Sequence, residues 1–150
     1  MICCGFGHRV LLMDVEKPLQ ETLEHLVEER GVRVFYTGGM GEFDELFARM
    51  VRSMKLDCPS LRLVLVMPYL TERLNMDKAF YESLYDEILI PAELDGVHPK
   101  AAIGLRNRWM VDRSDIVIAD LHRDFGGAME AVRYAERIGK IVCKIKKKPQ

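Results

Sequence analysis

Three glycine-containing segments carry most of the residues of this chain that could do chemistry. They are Gly5–Arg9, Thr37–Asp44 and Asp120–Glu130, and each follows a short apolar run that is typical of a β-strand. Glycine lets a backbone approach a ligand closely, and a helix that begins in such a segment directs N–H groups and a partial positive charge at an anion. The segments predict phosphate binding, although glycines that only permit tight turns would give the same pattern.

The second segment runs from a predicted strand into a predicted helix and combines glycines with carboxylates. Asp44 could accept hydrogen bonds from ribose hydroxyls, while the acidic residues would also stabilise the first helical turn whether or not a ligand binds. Glu45, in the same turn, is a second-choice catalytic carboxylate. The candidate ligand-binding residues of this segment are Thr37, Gly38, Gly39, Gly41 and Asp44.

The third segment places Gly126 and Gly127 just before a helix, with Glu130 in its first turn. The two glycines are candidate ligand-binding residues. Glu130 lies off the apolar helix face, so it is the first-choice catalytic or ribose-binding carboxylate. A carboxylate that only complements the helix dipole would occupy the same position.

The remaining candidates are basic or amide side chains. In the first segment His8 and Arg9 are placed to bind a phosphate or a carboxylate, and Gly7 is a further candidate ligand-binding residue. A solvated arginine and a hydrogen-bonded histidine would give the same pattern. Arg106 and Asn107 belong to a predicted helix, where a charged run is also typical of a solvent-facing surface.

Strand-like and helix-like segments alternate along the chain. Apolar runs such as Leu63–Met67 predict strands buried on both faces, and Phe43–Met54 repeats its apolar residues at helical spacing. This alternation predicts an α/β fold with three layers, a Rossmann-like open parallel sheet with helices on both faces. Ligands of such sheets bind at the carboxyl ends of the strands. The predicted strands are Ile2–Cys4, Val32–Tyr36, Arg62–Met67, Glu87–Ile90, Asp115–Ala119 and Lys140–Lys144.

Composition narrows the class of protein. The 150 residues predict one domain over residues 1–150, and 22 basic against 23 acidic residues give a net charge of -1. No apolar run is long enough to span a membrane, the N-terminus has no leader pattern, and the four cysteines lack zinc-site spacing. We therefore expect a cytoplasmic protein without a metal or a cofactor. The C-terminal lysines predict a solubilising tail; they are Lys144, Lys146, Lys147 and Lys148.

Three stretches carry a family resemblance. The opening Cys3–Arg9 resembles the "CCFTGHR" start of the YpsA-like branch of the SLOG superfamily, Arg106–Ala119 is similar to its RN-x-x-MVD-x-SD segment, and Gly126–Ala135 is similar to its closing glycine-pair segment. The resemblance spans nearly the whole chain. It implies a Rossmann-like domain that binds a nucleotide or a nucleotide-derived ligand.

A second resemblance concerns catalysis. Asp124–Glu130 follows the D-x-G-x-x-x-E spacing of nucleoside deoxyribosyltransferases, which implies that Glu130 is a nucleophile, and Gly38–Glu45 is similar to the glycine loop of Lonely Guy phosphoribohydrolases. The leading hypothesis is a module, such as a sensor, that binds a nucleotide-derived small molecule, and the alternative is an N-glycosidic hydrolase or transferase. The near-neutral charge and the single tryptophan predict against a nucleic-acid partner. The lack of a spanning apolar run predicts against a membrane. The sequence leaves the oligomeric state undecided, and a homo-oligomer is one alternative.

Overall fold

The structure is a computed structural model that describes residues 1–145. The predicted lysines beyond Lys144 lie outside the described residues. Within this range the strands form one parallel sheet in the order β4-β3-β2-β1-β5-β6. This confirms the three-layer, Rossmann-like α/β fold. The strands are β1 (Ile2–Gly7), β2 (Val34–Thr37), β3 (Arg62–Val66), β4 (Glu87–Leu89), β5 (Ile116–Asp120) and β6 (Ile141–Lys144).

Helices cover both faces of the sheet. On one face α1 and α2 bury apolar side chains against residues such as Phe35 and Ile118, and on the other α5 and α6 pack against residues such as Val66 and Val117. A 3₁₀ turn, Ala92–Leu94, precedes α5. The helices are α1 (Glu16–Arg30), α2 (Glu42–Asp57), α3 (Glu72–Met76), α4 (Lys78–Leu84), α5 (Pro99–Arg113) and α6 (Gly127–Arg137).

Strand β1 is longer than the sequence predicts. The prediction ended it at Cys4 and assigned Gly5–Arg9 to a loop, whereas the strand continues through Gly7. A Cβ at Gly7 would lie only 2.2 Å from the Phe43 ring of α2. This glycine is therefore needed for the close packing of α2 against β1.

Because all strands run in the same direction, the segments that follow β1, β2 and β5 lie at the same edge of the sheet. The strand order reverses between β1 and β5, so the loop after β1 leads to α1 on one face of the sheet and the loop after β5 leads to α6 on the other face. These two loops leave a crevice between them at the carboxyl edge of the sheet. The helices α2 and α6 both begin at this edge. Among the described residues no helix is long and apolar enough to cross a membrane.

Candidate functional site

A recess at the carboxyl edge of the sheet gathers residues from four elements. We call it the carboxyl-edge pocket: it has a volume of about 210 Å³ and lies between the end of β1, the turn before α2, the middle of α5 and the start of α6. Its lining includes three arginines, one carboxylate and glycines from three separate segments of the chain. The lining residues are Gly5, Phe6, Gly7, His8, Arg9, Gly38, Met40, Asp44, Ile103, Arg106, Asn107, Arg123, Gly127 and Ala128.

Arg106 holds the base of the pocket together. Only 3% of this residue is exposed, and its Nη1 donates to the carbonyl oxygens of Gly38 at 3.2 Å and Val66 at 2.8 Å. Its Nε donates to Oδ1 of Asn107 at 2.9 Å. The guanidinium thereby joins α5 to the ends of β2 and β3, and it places a desolvated positive charge under the pocket.

Asp44 is the buried counter-charge of Arg106. The residue is 8% exposed, and Oδ2 accepts a hydrogen bond from the backbone N–H of Met40 at 2.9 Å. Burial raises the pKa of Asp44 to about 7, against the opposing effects of the Met40 hydrogen bond and the Arg106 charge. Burial likewise lowers the pKa of Arg106, and the nearby Asp44 carboxylate opposes that shift. The charge of the pocket therefore changes near neutral pH.

Two exposed arginines form the mouth of the pocket. Arg9 follows β1, and Arg123 lies in the loop before α6, where its guanidinium carbon is 4.7 Å from the centroid of the exposed Phe125 ring. Gly41 brings the α2 turn against Arg9: its φ is +97°, and a Cβ there would lie 2.7 Å from the Arg9 Cα. Only glycine accommodates both conditions without strain.

Two histidines adjoin this mouth. The ring of His8 is buried and lies 4.3 Å from the ring of His122, centroid to centroid. A ring nitrogen of His122, Nε2, is 3.0 Å from the carbonyl oxygen of Val10. This contact ties the loop after β5 to the loop after β1, so the two walls of the mouth are linked.

The arrangement is suited to an anion with several oxygens. The first turns of α2 and α6 meet at the pocket, and helix N-termini attract negative charge. Arginines at the mouth and at the base supply N–H donors in the fork geometry that matches phosphate.

The structure brings most of the predicted ligand-binding residues into this pocket. Those that line it are Gly7, His8, Arg9, Gly38, Asp44, Arg106, Asn107 and Gly127. Thr37, Gly39, Gly41 and Gly126 shape the adjoining turns instead: Thr37 is fully buried, and its Oγ1 accepts from the Gly39 N–H at 3.4 Å. The ligand roles of these residues stay predictions.

The two predicted catalytic carboxylates do not meet at the pocket. Glu130 is exposed in the first turn of α6, as predicted from the helix pattern, but it is absent from the pocket lining. Glu45 is exposed on α2 and lines a different cavity. Their catalytic roles stay predictions.

Sequence reasoning missed several lining residues. Arg123 stands inside the predicted third segment, and a basic residue beside a glycine pair was an available signal for it. Met40 and Ile103 carry no such signal, because apolar side chains at these positions also fit a core. Trp109 does not line the pocket: it is half-buried against the core, between the ring of Tyr36, at 5.6 Å, and the guanidinium of Arg113, at 4.1 Å.

Comparison with known proteins gives structural neighbours but no sequence family. No family model and no curated protein matches the chain. Two solved structures share the fold with a TM-score of 0.70 each: DNA processing protein A from Helicobacter pylori, at 20% identity, and the same protein from Streptococcus pneumoniae, at 16% identity. The H. pylori structure is described in terms of a single-stranded DNA binding mode.

The alignments cover nearly all of this chain but only part of each neighbour. They align with 99% and 97% of this chain, whereas the chain spans 66% and 50% of their own lengths. At 20% and 16% sequence identity, this similarity shows a shared fold. Both neighbours therefore correspond to this chain over one Rossmann-like part of a longer protein.

These findings correct three of the predictions. The assignment to the YpsA-like branch is wrong, because the neighbours are DNA processing proteins and no family model supports that branch. The predicted function on a nucleotide-derived or nucleoside ligand, including its glycosidic alternative, is wrong for the same reason. The prediction against a nucleic-acid partner is also wrong. Net charge misled it, because charge summed over the whole chain does not report arginines concentrated in one pocket.

Proposed function

We propose that this chain binds single-stranded DNA and that the carboxyl-edge pocket receives one phosphate group of the strand. The observation that carries the proposal is the convergence of Arg9, Arg106 and Arg123 with the N-termini of α2 and α6 at one recess. Phosphate contacts supply most of the affinity of proteins for nucleic acids. The fold neighbour described as binding single-stranded DNA supports the same class of partner.

The shape of the pocket favours a single strand over a duplex. Its base is formed by Arg106, which is almost completely buried, so a phosphate has to enter a recess to approach that charge. A flexible single strand can turn one phosphate inward, whereas the phosphates of a duplex are held on a stiff cylinder. We propose a cytoplasmic site of action, because the four cysteines are free thiols, as is usual for proteins of reducing compartments.

The test is a binding titration with matched arginine variants. Fluorescence anisotropy would compare a single-stranded oligonucleotide with its duplex for the wild type, Arg123→Ala and Arg137→Ala. Arg137 is the control, because it is an exposed arginine in the last turn of α6, at the opposite end of that helix. Loss of one charge-assisted phosphate contact should weaken single-strand binding by roughly 10- to 100-fold in Arg123→Ala alone.

The salt dependence of DNA affinity is a second, independent test of the contact between Arg123 and phosphate. Between about 50 and 200 mM salt, the log–log slope for a single strand should become shallower by about 0.7 in Arg123→Ala and stay at the wild-type value in Arg137→Ala. Equal losses in both variants would mean that the protein attracts DNA through diffuse surface charge. No binding by the wild type would refute the proposed function.

A further inference from the structure

A second cavity lies on the other side of the turn that precedes α2. We call it the Phe80 cavity: it has a volume of about 600 Å³ and lies between the start of α1, the exposed face of α2 and the helices α3 and α4. Gly39 lines this cavity, whereas its chain neighbours Gly38 and Met40 line the carboxyl-edge pocket. One short turn therefore separates the two spaces.

The Phe80 cavity is about three times as large as the carboxyl-edge pocket, so the two spaces suit different parts of a DNA strand. Small-molecule sites usually have volumes of about 300–1,000 Å³. At about 210 Å³, the carboxyl-edge pocket is smaller than this range. The Phe80 cavity, at about 600 Å³, is large enough for a nucleobase with its sugar.

An exposed aromatic ring lies beside this space. Phe80 is 57% exposed, and its ring meets that of Tyr81 edge-to-face, with centroids 6.0 Å apart and planes at 80°. This contact leaves more than half of the residue facing solvent. Such rings are the stacking platforms of single-strand binding sites.

The charges of the Phe80 cavity suit a base better than a phosphate. Four acidic residues and three arginines line it within the described part of the chain, and Arg49 is paired with Glu16 at 3.1 Å. Glu42 and Glu45 are exposed at the start of α2. These carboxylates repel phosphate, and they can accept hydrogen bonds from the exocyclic amine of cytosine or adenine.

We propose that the Phe80 cavity binds an amine-bearing nucleobase of the same strand whose phosphate enters the carboxyl-edge pocket, and that Phe80 stacks on this base. The inference rests on the proposed function, because it needs a DNA strand at the pocket. It adds a second contact site and a preference for cytosine and adenine over thymine. The turn from Gly38 to Gly41 then lies between the bound phosphate and the bound base.

The experiment separates stacking from charge. A cytosine octamer and an octamer of abasic sugar-phosphate units carry the same charge, but only the first has bases. Anisotropy titrations of both would compare the wild type, Phe80→Ala and Leu56→Ala. Leu56 is the matched control, because it is an exposed apolar residue near the end of α2 that does not line the cavity.

The inference predicts a loss confined to one variant and one probe. Phe80→Ala should weaken binding of the cytosine octamer by about 5- to 100-fold and leave the abasic octamer unchanged, because one base–aromatic stack is removed. Leu56→Ala should bind both like the wild type. Phe80→Trp should restore the affinity for the cytosine octamer, and a thymine octamer should bind the wild type more weakly than the cytosine octamer.

Three results would overturn the inference. Wild-type affinity of Phe80→Ala for the cytosine octamer would leave the proposed function intact and remove the base site. If Phe125→Ala, which alters the exposed ring beside Arg123, lost the cytosine preference instead, the base would lie at the opposite rim. Failure of the wild type to bind either octamer would refute the proposed function together with the inference.

Discussion

Replacing Asp44 by asparagine removes one negative charge from the carboxyl-edge pocket and preserves the local hydrogen bond. The asparagine Oδ1 can still accept from the backbone N–H of Met40, which now bonds Asp44 at 2.9 Å. In the wild type, burial raises the pKa of Asp44 to about 7. The carboxyl is therefore mostly neutral at about pH 6 and mostly ionised at about pH 8.

The size of the effect follows from the dimensions of the pocket. A cavity of about 210 Å³ has a radius of about 4 Å, which places a central phosphate about 6 Å from a lining carboxylate. At an effective dielectric constant of about 20, the repulsion is about 2–3 kcal/mol, or roughly 30- to 100-fold in affinity. Wild-type affinity for a single strand should fall by this factor as the pH rises from about 6 to 9.

The assay is a series of anisotropy titrations at fixed salt across this pH range. Asp44→Asn should bind like the wild type at about pH 6 and far more tightly at about pH 9. The other charged or titratable groups at the pocket are His8, Arg9, Arg106 and Arg123, and they are common to both proteins. If the two pH profiles coincide, Asp44 does not face the bound anion and the reasoning fails.

The same pKa shift has a consequence for folding. Because the pKa of Asp44 is higher in the folded protein than the ordinary value of 3.8, the folded state retains a proton that the unfolded chain releases. The free energy of unfolding should therefore fall as the pH rises from about 4 to about 7. Urea denaturation should show this loss in the wild type and a smaller one in Asp44→Asn. Equal slopes in both would contradict the assignment.

Three further predictions concern stability and reactivity. Arg106→Ala removes the hydrogen bonds from α5 to the carbonyl oxygens of Gly38 and Val66 and leaves the buried Asp44 carboxyl without its counter-charge, so urea denaturation should show that the free energy of unfolding falls by about 3–5 kcal/mol. Gly41→Ala forces a side chain to adopt a φ of +97° against the Arg9 backbone, and thermal unfolding should detect a loss of about 1–3 kcal/mol. Iodoacetamide should label Cys58 in the native protein but not Cys4, whose pKa burial raises to about 12; mass spectrometry of the peptides would check this.

Apolar patterning was sufficient to predict the sheet. Segments such as Leu63–Met67 are apolar throughout because parallel strands are covered on both faces, and the predicted strand ends differ from the observed ones by a few residues. The pattern did not predict α3 and α4. Within these helices Leu74 is the buried residue, so there is no apolar face to recognise.

The candidate site was predictable in outline only. The glycine turns at strand ends could be placed because the switch point of a parallel sheet is fixed by its topology. The burial of Arg106 could not be predicted, because its hydrogen-bond partners Gly38 and Val66 lie 68 and 40 residues away along the chain. Arginine in a charged helical run is typical of a solvated surface, and only tertiary contacts distinguish this one.

The central claim is that single-stranded DNA binds at the carboxyl-edge pocket, and an NMR titration tests it most directly. Amide chemical shifts of the ¹⁵N-labelled protein would be followed as a short single strand is added. We expect the largest changes in amide chemical shift in three segments that meet at the pocket, Gly5–Arg9, Gly38–Asp44 and Arg123–Ala128. Shifts confined to the opposite edge of the sheet, where α1 and α6 end, would contradict it, as would a spectrum that DNA leaves unchanged.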